Sequence, residues 1–272
     1  NFCRQVFDLG IKDLKNRKFV DTQKTDRISG LIRKQTIENI ERIAGRVLIQ
    51  DIHRKKDMGF LQGKTPEEQY WFYHEKWLNC RENIDDLLNE FPELVRLLFM
   101  EIQHNYELAD EILEHLEMDR SQIIKIFCNG KTFGDIGAVR FMGDAHNRGR
   151  KAARVELDNG ITLYYKPHNL QNSERYQEMY AYLCKEAGIS CTDQRYLLRN
   201  TYGWERHIEW QCCRTEEEIR RYFFRMGIHL MLGYTLGVTD LHGENVIAHG
   251  EHPVIIDLET CPGYIIQTEE SS

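Results

Sequence analysis

The chain has 272 residues, 41% of them hydrophobic and 29% charged, a balance that supplies a sizeable core and excludes intrinsic disorder. Its 36 basic and 43 acidic side chains leave a formal charge of −7, which argues against nucleic acid as the main partner, because phosphate binding leaves a basic excess. The longest nearly apolar run, Ile228 to Val238, is about half a membrane span and carries His229, so no membrane-spanning helix is expected.

Eight cysteines in a chain of this length are too sparse for a disulfide scaffold, and there is no Cys-x-x-Cys pair. All are expected to be reduced thiols. The start Asn1-Phe2-Cys3 has neither a basic region nor an apolar stretch of the signal-peptide kind, and without a Met it suggests a segment of a longer chain.

Residues 1–120 read as helical. Apolar residues recur at three- and four-residue spacing from Leu87, Leu88, Phe91, Leu94, Leu97 and Leu98 to Ile102, Leu108, Ile112, Leu113 and Leu116. Pro92 marks a helix start, as its fixed φ and missing N–H allow. The aromatic group Tyr70, Trp71, Phe72, Tyr73 and Trp77 reads as core, and Arg54-Lys55-Lys56 as a solvated face. After residue 120 the period changes. Ile123 to Cys128 reads as a short β-type run closed by Asn129-Gly130. Arg154 to Leu157 and Ile161 to Lys166 flank Asp158-Asn159-Gly160, a hairpin signal in which Asn-Gly supplies the positive φ values of a tight turn. A helix is expected over 173–187. A second begins at Thr215, whose hydroxyl caps while Glu218 reaches back; its stripe, Ile219, Phe223, Met226 and Leu230, runs to about Leu236. The last strand is 253–257. The fold class is therefore α+β, divided as a helical region (1–120), a β-rich lobe (121–200) and the start of a helical lobe with catalytic and metal loops (201–272).

The polar residues of the second half form an ordered set. In Asp240-Leu241-His242-Gly243-Glu244-Asn245 an Asp and an Asn stand five positions apart after a long helix, and Asp257 follows 12 residues later at the end of an apolar strand. A phosphoryl-transfer site of the kinase type needs this arrangement: a loop Asp to accept the proton of the attacking hydroxyl, and an Asn and a strand-end Asp to hold Mg²⁺ through oxygen. Upstream, Lys166 ends a strand where a kinase-like lobe carries its phosphate-binding Lys, and Glu174, Glu178 and Glu186 on the next helix are its candidate acidic partners. Before the hairpin, Gly143-Asp144-Ala145-His146-Asn147-Arg148-Gly149-Arg150 has the composition of a phosphate loop, with Arg148 and Arg150 as charge partners. His242, His249 and His252 with Asp240, Asp257 and Glu259 offer a competing metal-hydrolase reading, weakened by the absence of His-x3-His spacing. No Cys lies in these motifs.

Gly143-Asp144-x-His146-Asn147-x-Gly149-Arg150, Tyr165-Lys166-Pro167, Asp240-x-His242-Gly243-Glu244-Asn245 and Ile256-Asp257-Leu258-Glu259 together resemble the dehydratase domain of class II lanthipeptide synthetases, the LanM family. The four motifs span 120–260 in order; His168 stands where the family pattern has Arg. The resemblance implies a helical region followed by a kinase-like fold, truncated within its second lobe. It implies a cytoplasmic enzyme that phosphorylates Ser and Thr of a precursor peptide, leader included, with ATP and Mg²⁺, then eliminates the phosphate to leave dehydro residues. Carried over by position, Asp240 is the base with His242 beside it, and Asn245 and Asp257 hold Mg²⁺ with support from Glu259. Lys166, with Arg150 and Glu178, serves the nucleotide, and Asp144 and His146 lie near the reacting phosphate. Zinc belongs only to a cyclase domain outside this chain, association with an export transporter is left open, and neither nucleic acid nor a membrane span is implied. The alternatives are a small-molecule phosphotransferase of the aminoglycoside or choline kinase type, which usually places His before the loop Asp, and an inactive kinase-like peptide-binding module.

Overall fold

The computed structural model describes residues 2–16, 21–130, 132–146, 150–239 and 241–258, with the backbone alone for 144–146. The chain divides into two compact units, Asn1–Met118 with Gly137–Lys151, and Asp119–Ile136 with Ala152–Ser272. The mixture of helices and antiparallel sheet bears out the α+β class.

The first unit is built on helices α1 (Phe2–Asn16), α2 (Thr22–Asp57), α3 (Pro66–Glu75), α4 (Arg81–Glu90) and most of α5 (Pro92–Phe127). Along α2 the buried residues Thr25, Ile28, Ile32, Thr36, Ile40, Ala44, Leu48 and Asp51 follow one another by three or four positions, a single stripe that winds with the 3.6-residue turn. Asp21 caps this helix by accepting from the backbone N–H of Gln23 at 2.8 Å. The polar members of the stripe have partners: Thr25 meets the Tyr106 hydroxyl at 3.1 Å, and Asp51 accepts from the Tyr73 hydroxyl at 2.8 Å and from Arg54 at 2.7 Å. Gly10 of α1 permits close packing, since a Cβ there would stand 2.5 Å from Ile102 of α5. Strand β1 (Ile136–His146) belongs to this unit except for its first residue.

In the second unit, which takes β2 (Arg150–Leu157) from Ala152 onward, β2, β3 (Thr162–Lys166), β5 (Gly203–Arg206) and β4 (Tyr196–Leu198) lie side by side in that order, with β3 antiparallel to β2 and to β5. The registers Val155↔Leu163, Ala153↔Tyr165, Tyr165↔Trp204 and Leu197↔Trp204 put these side chains on one buried face. By the two-residue period, Tyr164, Lys166 and Glu205 lie on the other. Helix α6 (Gln171–Glu186), helix α7 (Glu216–Leu236) and the hairpin β6 (Val246–His249) with β7 (His252–Ile255) pack around Tyr176, Tyr180, Cys184, Leu232, Ile255 and Leu258. Thr215 caps α7 by accepting from Glu218 N–H, and the Glu218 carboxylate accepts from Arg214 N–H, as the sequence predicts.

Four expectations are corrected. Ile123 to Cys128 is not a strand: Ile123 and Phe127 continue the buried face of α5, and the Arg195 guanidinium supplies a donor to the Ile126 carbonyl at the helix end, at 2.9 Å. The hairpin forms over Asp158-Asn159-Gly160 as expected, but only Gly160 has positive φ (82°), so Asn159 does not supply the second positive value. Of the aromatic group, Tyr73 is buried but Tyr70 and Trp71 are exposed. On α7 the expected stripe is outward: Ile219, Phe223 and Leu230 are exposed, while Arg225, His229 and Leu232 face inward. The two polar residues tolerate burial because each is bonded. Arg225 donates to the Ser190 carbonyl at 3.1 Å and to the Glu251 carboxylate at 3.0 Å. The seven described cysteines are free thiols, and among the described residues no helix is long and apolar enough to cross a membrane.

Candidate functional site

The hairpin β6–β7 gathers the motif residues of the second unit. Its register pairs Val246 with Ile255, so Asn245 and Ile256 stand at its open end, and the Ile256 N–H donates to the Asn245 carbonyl at 2.9 Å. Asn245 and Asp257, 12 residues apart in the chain, thereby become neighbours. Ahead of them, Gly243–Asn245 forms one 3₁₀ turn, in which His242 Nδ1 accepts from the Glu244 N–H at 3.3 Å and the His242 carbonyl accepts from the Asn245 N–H at 3.0 Å. His242 Nε2 lies 3.4 Å from the Asn245 side-chain amide nitrogen.

Asp257 holds a left-handed backbone, φ 65°, a conformation that Asp and Asn adopt more readily than other side chains. Its Oδ2 lies 3.8 Å from Lys166 Nζ, and its Oδ1 is buried without a hydrogen-bond partner among the described residues. A carboxylate with one oxygen toward an ammonium and the other unpartnered, beside an Asn, offers the hard oxygen donors that Mg²⁺ takes. Among the described residues no three His, Cys, Asp or Glu side chains converge in a metal-holding group. Of the histidines in the competing hydrolase reading, His249 is engaged otherwise, its Nδ1 with the Glu209 carbonyl at 2.7 Å.

Lys166 is 8% exposed. None of the three α6 glutamates forms its ion pair among the described residues. Glu174 and Glu178 instead line a recess with Gln177, Cys191, Asp193 and Arg195. The sequence missed Glu205, which is 5% exposed on the Lys166 face of the sheet. Burial pushes its carboxyl upward from the ordinary range; the Lys166 charge opposes this shift and Asp257 adds to it. A charged residue inside the short β5 run was the available signal. Arg150 pairs with Glu111 of α5 inside the first unit. Asp240, Glu259, Arg148 and the side chains of Asp144 and His146 lie outside the described residues.

Behind the hairpin, His229 joins α7 to β7. It is 1% exposed, stacks on the Tyr180 ring at 3.9 Å, and bonds to the Tyr176 hydroxyl through Nδ1 (3.0 Å) and to the Pro253 carbonyl through Nε2 (3.2 Å). The carbonyl only accepts, so the proton sits on Nε2 and Nδ1 accepts from Tyr176. Burial lowers its pKa to about 4, the Pro253 bond partly opposing. The native state keeps this imidazole neutral, so its contribution to stability is complete above the unfolded pKa near 6.5 and is lost as pH falls toward 4. Between pH 7 and pH 5 this one group is expected to remove about 2 kcal/mol of unfolding free energy. Urea titrations of wild type and His229→Gln at both pH values test it; equal losses in the two proteins would exclude the assignment.

Two comparisons bear on the site. A family model described as a domain of unknown function (DUF4135) matches residues 91–271. The lacticin 481/lactococcin biosynthesis protein LcnDR2 of Lactococcus lactis subsp. lactis is 32% identical over 232 residues, which cover 81% of this chain and 25% of that protein. The chain thus spans about a quarter of the length of the curated relative that it matches.

Proposed function

From the premise that this chain belongs to the DUF4135 family, the domain associated with lanthipeptide synthetases of the LanM type, we propose that it carries the phosphoryl-transfer centre of a precursor-peptide dehydratase with a kinase-like fold. The observation that carries this reading is the triad Lys166, Asp257 and Asn245, a buried ammonium 3.8 Å from a carboxylate whose neighbouring strand residue is bonded to the Asn.

Asn245 and Asp257 would hold Mg²⁺, with Glu259 in support. The ion supplies charge neutralisation along the ATP phosphates as the bond to the leaving group breaks. Lys166 adds a fixed positive charge to the same phosphates in a site of low solvent exposure, where charge stabilisation is strongest. Asp240 accepts the proton of the Ser or Thr hydroxyl as its oxygen bonds to the γ-phosphorus and ADP leaves. In the second step a base removes the α-proton and the Cβ–O bond breaks, releasing phosphate and leaving dehydroalanine from Ser or dehydrobutyrine from Thr. Asp144 and His146 are proposed to serve near that phosphate, and His242 to orient the loop that carries Asp240 and Asn245.

Intact-mass spectrometry tests the reading. A Ser/Thr-rich precursor peptide with its leader is incubated with Mg-ATP and the full-length protein. Loss of one water mass per modified residue is the expected result. Addition of phosphate without water loss would restrict the activity to a peptide kinase. An unchanged peptide with normal ATP binding would overturn the reading in favour of a small-molecule phosphotransferase or a binding module.

A further inference from the structure

A buried ammonium is costly unless opposite charge surrounds it. Among the described residues the ion pair of Lys166 is with Asp257, at the long separation of 3.8 Å, and Asp257 is the carboxylate proposed to turn toward Mg²⁺. With Asp257 shared with the metal, a second acidic neighbour that is not a metal ligand would fix the direction of the Lys166 ammonium toward the phosphates.

The sheet supplies one. The register pairs Tyr164 with Glu205 and Lys166 with Gly203, so Lys166 and Glu205 are diagonal neighbours on one face. Such positions lie about 7–8 Å apart at the backbone, within reach of long side chains. The residue directly opposite Lys166 is a glycine, so no side chain stands there to separate the two. Glu205 is itself 5% exposed, and the charges that act on it are those of Lys166 and Asp257.

We propose that Glu205 is the positioning residue that holds the Lys166 ammonium toward the nucleotide phosphates, the role that sequence reasoning leaves open among Glu174, Glu178 and Glu186. The inference rests on the nucleotide-binding reading above. Glu205 touches neither phosphate nor metal in this scheme; it acts through Lys166. A β-strand carboxylate is a rigid support for that task, because both residues are fixed in adjacent ladders of backbone hydrogen bonds and not across a helix-to-sheet gap.

A double-mutant cycle on the full-length protein decides it, with the affinity for Mg²⁺ plus adenylyl imidodiphosphate as the readout. Glu205→Gln is expected to weaken binding about tenfold, the factor typical of one charge-assisted contact. In a Lys166→Met background the same change is expected to have no further effect, and Glu205→Asp is expected to recover most of the affinity. Unchanged affinity in Glu205→Gln, or the same tenfold loss repeated in the Lys166→Met background, would overturn the inference. If Lys166→Met alone leaves nucleotide affinity intact, the nucleotide reading itself fails.

Discussion

Asp257→Asn is expected to lower Mg-ATP-dependent turnover of the full-length protein by about a thousandfold, at the upper end of the loss seen when one electrostatic stabiliser is removed from a transition state. The substitution isolates charge. Asn tolerates the left-handed backbone that Asp257 adopts (φ 65°), so the strand end keeps its shape. What disappears is the negative charge that faces the Lys166 ammonium and is proposed to draw Mg²⁺, including the oxygen that has no hydrogen-bond partner among the described residues. Mg-dependent nucleotide binding, followed by calorimetry, is expected to vanish with the activity. Cys212→Ser is the matched control, since Cys212 is an exposed free thiol. Equal effects of the two substitutions, or a loss in Asp257→Asn of less than threefold, would remove Asp257 from the metal site.

The second large effect concerns stability. Asp119, 2% exposed, accepts from Arg199 Nε at 2.8 Å, from the Tyr202 hydroxyl at 3.0 Å and from Trp204 Nε1 at 2.9 Å. One carboxylate thereby ties the C-terminal part of α5 to β5 and to the loop before it. Asp119→Ala would remove the acceptor of a buried indole N–H, the carboxylate that the Tyr202 hydroxyl donates to and the counter-charge of the Arg199 guanidinium. Removing one member of a buried charged network costs about 3–5 kcal/mol, which corresponds to a fall in Tm of roughly 10 °C for a protein of this size. Asp119→Asn keeps one acceptor oxygen and is expected to cost about half as much. Thermal unfolding followed by Trp fluorescence reads both. A change below about 1 kcal/mol in Asp119→Ala would mean that the network is not a stabilising element.

The two effects act on different parts of the second unit. Trp204 and Tyr165 turn inward on one face of the sheet, the Trp204 indole bonded to Asp119. Lys166 and Glu205 lie on the opposite face of the same two strands. Alternation along two adjacent strands thus separates the residues that hold the sheet from Lys166, proposed to bind phosphate, and Glu205, proposed to position it. Asp119→Ala is accordingly expected to alter stability first, and Asp257→Asn to alter turnover with little change in Tm.

The elements that the sequence specifies by itself are those whose determinants are local. Thr215 and Glu218 satisfy donors within one turn of each other, so the start of α7 is legible in four residues. Pro92 starts α5 for the same kind of reason. The approach of Asn245 to Asp257 is likewise readable from spacing, because the hairpin that joins Asn245 to Ile256 is only 10 residues of β-type pattern between its ends. Tertiary structure decided the rest wherever the determinant lies far along the chain. Ile123 to Cys128 has strand-like composition, yet its residues up to Phe127 extend α5, where Ile123 and Phe127 are buried and Arg195, some 70 positions away, donates to the Ile126 carbonyl. Arg225 and His229 face inward on α7, against the apolar stripe, because Ser190, Glu251, Tyr176 and Pro253 supply their hydrogen bonds. Glu205 stands beside Lys166 only through the pairing of β3 with β5, a register that no local pattern encodes. A polar side chain can be buried wherever partners meet it, and which partners meet is a property of the folded chain.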